Sequence, residues 1–248
     1  MKVYDKLIKL AKHQASYFCL LDPDKIDKQQ ARKHATACEV NGADGILVGG
    51  SLMLNNNFDE NLKAIKESVS IPVIIFPGIF NFVSPHADAL LLLSVVTSRN
   101  PQMLIGEQVR AAPLIRYYKL EAIGTAYMLI ESGNNTSVHY MSGSFPIPRT
   151  KNDIAIAHAL ASEYLGFKLL YLDAGSGAQY SIPDTMIREI KKNVSLPLVV
   201  GGGIKTPEEA AEKANAGADF IVTGDILEKQ WDVQLIKDIA AAVHSVKR

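Results

Sequence analysis

Four aspartates, one serine and a set of glycines are the residues of this chain whose types and spacing could do chemistry. Asp22 and Asp24 flank a proline in LLDPDK, Ser51 closes ADGILVGGS, Asp173 lies in YLDAGSG and Asp225 ends GADFIVTGD. Gly175, Gly177, Gly201, Gly202, Gly203 and Gly224 follow apolar runs and precede helical patterns. Glycines so placed leave backbone N–H groups uncovered at helix N-termini, where a phosphate binds without needing a positive side chain. A carboxylate beside a phosphate site suggests a hard divalent cation, because magnesium takes one or two carboxylates and fills its other positions with phosphate and water. D-P-D reads equally as a turn and N-cap. Asp173, entering a partly dry mouth from an apolar strand, suits a general base with a raised pKa. Its alternative is a carboxylate satisfied by the N–H groups of the glycine loop that follows. GGGIKTPEEA is the most specific phosphate signal: Thr206 can cap a helix, Pro207 takes its first position and Glu209 completes a capping box. A tight strand–helix turn without a ligand would use the same residues, but a second glycine site at Thr223-Gly224 counts against it.

These residues need strands to carry them. Leu169–Leu172, Leu198–Val200 and Phe220–Val222 are short apolar runs bounded by glycine or small polar residues, the pattern of strands buried on both faces. Earlier runs fit the same scheme: Tyr17–Leu21, ILV after ADG, IPVIIFPG, ADALLLLSVV and EAIGTAYMLIE. Helical patterns cover about 27–40, 58–68 and 151–165, and Asn100 with Pro101 marks another helix start. The polar stretch 132–150 reads as a long loop over the top. Residues of about 3–13 form a helix that either plugs the bottom or lies on the side. Eight strand candidates at a mean spacing of about 31 residues predict one (β/α)8 barrel over residues 1–248, with phosphate loops after strands 6, 7 and 8. An open doubly wound sheet is the alternative, although its glycine motif follows the first strand. In a barrel the strand-end residues Asp22, Asp24, Ser51, Ser98, Arg99, Asn100, Glu131, Tyr171, Asp173 and Asp225 share one mouth.

Composition narrows the partners. The 248 residues carry 26 basic and 26 acidic side chains, which argues against nucleic acid as the main partner. Cys19 and Cys38 suggest a reduced compartment and no disulfide framework, so a cytoplasmic protein is expected. No Cys/His cluster has zinc spacing, the six histidines show no ligand pattern, and no apolar run reaches the length of a membrane span.

With LLDPDK, ADGILVGGS, PVIIFPG, SRNP, EAIGTAYMLIE, YLDAGSGA, VVGGGIKTPEEA and GADFIVTGD in this order, the chain resembles the geranylgeranylglyceryl phosphate synthases along almost its whole length. The resemblance implies transfer of a geranylgeranyl group from its diphosphate to the 3-hydroxyl of sn-glycerol 1-phosphate, with Mg2+ as cofactor. It implies metal positions at Asp22 and Ser51. It implies a glycerol phosphate loop of Tyr171, Leu172, Asp173, Ala174, Gly175, Ser176 and Gly177, with further phosphate contacts at Gly202, Gly203, Gly224 and Asp225. Members often carry Glu where this chain has Asp173, and Asn where it has Asp225. A carboxylate beside a phosphate is unfavourable unless its backbone N–H does the binding. On this reading Asp173 takes the hydroxyl proton, and Arg99 either reaches the diphosphate or stays solvated at a helix start. Phe76, Phe80, Phe82, Leu104, Ile105 and Tyr127 are candidate walls of a prenyl groove, or else ordinary core. A homodimer or larger homo-oligomer and transient membrane contact are implied too. A longer heptaprenyl donor, or another phosphate-handling barrel enzyme such as a sugar-phosphate isomerase or a thiamine phosphate synthase-like protein, are the rival readings.

Overall fold

Eight parallel strands pair in chain order and close on themselves: β1 (Ser16–Leu21), β2 (Gly45–Val48), β3 (Val73–Ile75), β4 (Ala89–Val95), β5 (Glu121–Leu129), β6 (Leu169–Asp173), β7 (Leu198–Gly201) and β8 (Phe220–Thr223). The computed structural model describes residues 1–50, 52, 54–78, 82–229 and 231–248, with only the backbone of 227 and 229. Closure rests on β1 pairing with β8, Cys19 opposite Thr223. At that seam the Tyr17 hydroxyl and Thr223 Oγ1 lie 2.6 Å apart. The open sheet is thereby excluded.

Side-chain alternation sorts each strand into two layers. On β6, Leu170 and Leu172 face the outer helices, whereas Leu169 and Tyr171 face the barrel interior with Phe18, Leu47, Ile74, Leu91, Val199 and Phe220. The same parity aims Asp173 inward, one step beyond Tyr171. The outer layer comprises α2 (Lys28–Val40), α3 (Phe58–Lys66), α4 (Glu107–Tyr118), α6 (Asn152–Tyr164), α7 (Asp184–Asn193), α8 (Pro207–Ala216) and α10 (Val233–His244). Short helices α5 (Ser137–Ser142) and α9 (Asp225–Lys229) sit in the loops after β5 and β8.

The first helix, α1 (Val3–Ala11), plugs the bottom. Val3 and Leu7 pack into the interior cluster, and the N–H groups of Val3 and Tyr4 donate to the Glu121 carboxylate at 2.6 and 3.1 Å. Glu121 starts β5 and supplies the cap that Lys2 does not, since the first N–H groups of a helix lack partners of their own.

Register is fixed by a repeated Ala-Asp pair. Asp44, Asp88 and Asp219 each stand just before a strand and accept an N–H from the first or second residue of the neighbouring one, Tyr17, Val73 and Leu198, at 2.7–2.8 Å. Lys66 and Lys191 pair with Asp88 and Asp219 at 2.7 and 2.6 Å, and His244 Nε2 lies 2.8 Å from Asp44. Mutual register along the bottom sets how far each strand carries its last residue into the top.

Three local expectations change. The 132–150 stretch is not all loop, because α5 forms inside it. Asn100 does cap the next helix, accepting the Gln102 N–H at 3.0 Å, but the first turn, Gln102–Gly106, is a π-helix that continues into α4. Thr206 caps α8 through the Glu209 N–H at 3.2 Å, while the Glu209 carboxylate takes the Lys205 N–H instead of closing a box on Thr206.

Candidate active site

The carboxyl ends of the strands surround a cavity of about 310 Å³. One wall is polar: Asp22 and Lys25 after β1, Ser176 after β6, Gly202, Gly203 and Lys205 after β7, and Gly224, Asp225 and Glu228 after β8. The opposite wall is largely apolar, from Phe76, Pro77, Leu93, Val95, Met103 and Val138, with Glu107 and Gln108 of α4 and Ser137 and Ser142 of α5 also lining the cavity. Tyr127, Tyr171 and Asp173 form the floor between them.

Asp173 is buried, and both of its oxygens are engaged. Oδ1 accepts the Gly175 N–H at 2.9 Å, and Oδ2 accepts the hydroxyl of Tyr127. Burial raises the Asp173 pKa above the ordinary carboxylate range, while the Tyr127 and Gly175 donors pull it back down. Both readings of this residue are therefore partly realised: the glycine loop satisfies it, and it still faces the cavity with an elevated pKa. Tyr127 and Tyr171 are themselves held neutral by burial first and by the Asp173 charge second.

The loops after β6 and β7 interleave. Gly202 and Gly203 adopt φ of +79° and +71°, conformations that only glycine enters cheaply. A Cβ on Gly202 would stand 2.6 Å from Asp173 Oδ1, and one on Gly203 would stand 2.9 Å from the Ser181 nitrogen. The N–H groups of Ser176, Gly177, Gly202 and Gly203 donate to no group among the described residues. Ser176, Gly202 and Gly203 line the cavity, and uncovered N–H groups of this kind can receive an anion. Gly175 and Ala174 do not belong to this set, because their N–H groups are spent on Asp173 Oδ1 and the Gly201 carbonyl. The Leu172 side chain is also turned away, into the outer layer.

Asp22 lines the polar wall. Oδ1 accepts the Asp24 N–H at 3.0 Å, which makes D-P-D a turn, whereas the helix cap falls to Asp27 with Gln30. Oδ2 faces Lys25 Nζ at 3.3 Å. A Cβ on Gly50 would come within 2.8 Å of Oδ2, so the glycine clears space around this carboxylate. Asp24 turns to the loop after β2, where it accepts the Leu54 and Asn55 N–H groups. Among the described residues no group of three or more His, Cys, Asp or Glu could hold a metal alone. The donor set fits a cation held by one carboxylate and completed by a ligand's own oxygens. Ser51 lies outside the described residues, as does Phe80.

Several expected site residues lie elsewhere. Arg99 is exposed and folds back on its own loop, donating to the Val96 and Ser98 carbonyls at 3.4 and 3.2 Å and meeting His158 Nε2 at 3.4 Å. Its guanidinium is thereby occupied away from the cavity. Glu131 accepts the Arg149 N–H at 3.3 Å, outside the cavity wall. Phe82 packs on Phe58 with ring centroids 5.0 Å apart in the outer layer, and Ile105 is exposed. Phe76 and Tyr127 do line the cavity, with Met103 in place of Leu104. The sequence reading passed over Lys25, Lys205 and Glu228. Lys25 follows the D-P-D turn directly, which is the one signal that could have found it.

The model of the PcrB family matches residues 8–243. A geranylgeranylglyceryl phosphate synthase of Chitinophaga pinensis is 44% identical over 245 residues, 98% of this chain and 96% of the relative. The one from Pyrococcus furiosus is 42% identical over 233 residues, 94% of this chain and 90% of the relative. In the solved structures, (S)-3-O-geranylgeranylglyceryl phosphate synthase from Thermoplasma acidophilum, in complex with its substrate sn-glycerol-1-phosphate, superposes with a TM-score of 0.95 at 35% identity, covering 99% of this chain and 100% of that one. Thiamine phosphate pyrophosphorylase from Pyrococcus furiosus reaches a TM-score of 0.60 at 15% identity, with 96% of this chain and 98% of that one covered, a likeness of fold alone.

Proposed function

The chain belongs to the PcrB family, the family of the geranylgeranylglyceryl phosphate synthases, and from that premise we propose that it joins geranylgeranyl diphosphate to the 3-hydroxyl of sn-glycerol 1-phosphate. It is a prenyltransferase. One observation supports this substrate pair above others: a phosphate receptor and an apolar wall meet over a single buried carboxylate, Asp173. A sugar-phosphate isomerase would need the receptor and the carboxylate but has no use for Phe76, Leu93, Val95 and Met103 in the same cavity.

The chemistry follows from this placement. Ser176, Gly177, Gly202 and Gly203 hold the phosphate of glycerol phosphate by their N–H groups, with Gly224 and Asp225 completing the rim. The prenyl chain lies on the apolar wall. Fixing both partners converts a bimolecular encounter into a near-unimolecular step. The allylic C1–O bond breaks and the diphosphate leaves with the electron pair. The glycerol oxygen forms the new bond to C1, and its proton passes to Asp173. The Tyr127 hydroxyl and the Gly175 N–H favour the ionised form of Asp173 against the effect of burial and fix its orientation. Asp22, with Ser51 by family resemblance, would hold Mg2+, and the bound ion would supply charge neutralisation for the leaving diphosphate.

Three features support the wider setting. On α4, whose Glu107 and Gln108 turn inward to the cavity, Val109, Leu114 and Tyr117 are exposed, apolar surface suited to a second copy in a homodimer or larger assembly. Leu52 and Leu54 are exposed at the cavity rim, where transient contact with a lipid surface would load and release the prenyl chain. No helix among the described residues is long and apolar enough to cross a membrane. Cys19 and Cys38 are buried free thiols, which supports a place in the reducing cytoplasm.

A label-transfer assay tests the reading. Purified protein, Mg2+ and geranylgeranyl diphosphate are mixed with either sn-glycerol 1-phosphate or its 3-phosphate enantiomer. Label entering the organic phase with the 1-phosphate alone is the expected result. No transfer with either enantiomer, and none with a heptaprenyl donor, would sink the proposal.

A further inference from the structure

Among the described residues Lys25 is the one cavity-lining cation on the β1 side, and its surroundings are uneven. Its Nζ stands 2.5 Å from Glu228 Oε2 and 3.3 Å from Asp22 Oδ2. Two carboxylates from opposite sides of the barrel seam, one after β1 and one on α9, thus share one ammonium. All three groups line the cavity. The carboxylates are mostly covered, with side-chain exposures of 11% for Asp22 and 20% for Glu228, whereas half of the Lys25 side chain is open. The shorter contact is the one to Glu228, so Glu228 is the tether and Asp22 the weaker partner.

We propose that Lys25 is a counter-ion that exchanges partners: it neutralises Asp22 until a divalent cation arrives, and it then binds the diphosphate that the cation accompanies. This rests on the prenyltransferase reading and on Asp22 as the carboxylate that meets the metal. The physical reason is competition. An ammonium 3.3 Å from a carboxylate lowers the attraction that carboxylate offers a second cation. A diphosphate beside Asp22 reverses the balance, because it brings several negative oxygens within reach of a side chain with three donors and a flexible stem. Bare metal is therefore held weakly, and metal with diphosphate is held well. Glu228 is a positioning residue: through the 2.5 Å contact it keeps the ammonium at the seam when Asp22 releases it.

Two binding measurements on the full chain test this, neither of them an activity. The first is Mn2+ binding without diphosphate, read by electron paramagnetic resonance. The second is calorimetric titration with inorganic diphosphate in the presence of Mg2+. Lys25→Met is expected to tighten Mn2+ alone by about threefold, the scale of a partly exposed ion pair. The same change is expected to weaken diphosphate about tenfold or more, as loss of a charge-assisted hydrogen bond does. Lys25→Arg keeps the charge and should hold diphosphate within about threefold of the wild type. Glu228→Gln should weaken diphosphate less than Lys25→Met does. Affinity for sn-glycerol 1-phosphate should stay level in all three, which also reports that the barrel is folded. A general loosening of the site would move both affinities in one direction, whereas exchange moves them in opposite directions. Unchanged diphosphate affinity in Lys25→Met, or weaker Mn2+ binding, overturns the exchange while leaving the prenyltransferase reading intact. A wild-type chain that binds glycerol phosphate but no diphosphate overturns both.

Discussion

The hydroxyl of Tyr127 on β5 donates to Asp173 Oδ2 on β6, across two strands paired in register with Leu129 opposite Asp173. Tyr127 thus reaches Asp173 from two residues down the neighbouring strand, inside the barrel. Burial raises the pKa of this carboxylate, the group assigned the proton transfer, and the Tyr127 contact pulls it part of the way back.

Asp173→Asn should lower kcat by about 10²–10⁴-fold, the usual contribution of a positioned base, with little change in either KM. Stability should move the other way. Burial raises the folded-state pKa of Asp173, so its contribution to folding is most favourable at low pH and is lost as pH rises through that pKa. Asparagine has no such penalty. Thermal melts should show the variant gaining on the wild type as pH rises from the acid range to neutrality. A variant that loses ground to the wild type as pH rises would contradict the assignment.

Tyr127→Phe removes a donor that holds the Asp173 pKa down. The acid limb of the kcat profile should shift to higher pH, because the base is protonated sooner as pH falls. An unshifted limb with reduced kcat would mean that Tyr127 acts on the substrate and not through Asp173.

Gly203→Ala should raise KM for sn-glycerol 1-phosphate by about tenfold or more (~1.4 kcal/mol) and leave KM for the prenyl diphosphate unchanged. The cause is the positive φ together with a Cβ 2.9 Å from the Ser181 nitrogen. Equal effects on both substrates would show that the loop serves the fold and not the phosphate.

Arg99→Ala should leave both KM values and kcat within about twofold, since Arg99 is exposed and does not line the cavity. Its guanidinium is committed to Val96, Ser98 and His158. A large rise in prenyl diphosphate KM would return Arg99 to the site.

Leu7→Ala should cost about 2–5 kcal/mol of stability, as buried leucine truncations do, without altering kinetics at a temperature where the protein is folded. Leu7 fills the barrel bottom, far from the strand ends that carry Asp173 and Gly203. Chemical denaturation and steady-state kinetics on one preparation check both halves.

The sequence by itself determined the barrel, its eight strands and the identity of most of its mouth. Glycine-bounded apolar runs admit few other folds, and strand parity alone sends Asp173 inward. The glycine loops after β6 and β7 were legible because a missing Cβ is a property of the residue type. Tertiary structure decided what depends on direction in space. Arg99 and Asp22 both follow strands, yet Arg99 bends back onto its own carbonyls while Asp22 faces the cavity. Tyr127 and Lys25 took their roles from partners 46 and 203 residues away, Asp173 and Glu228. Such contacts leave no local pattern, because a side chain's charge state and aim are set by whatever the closed sheet brings beside it.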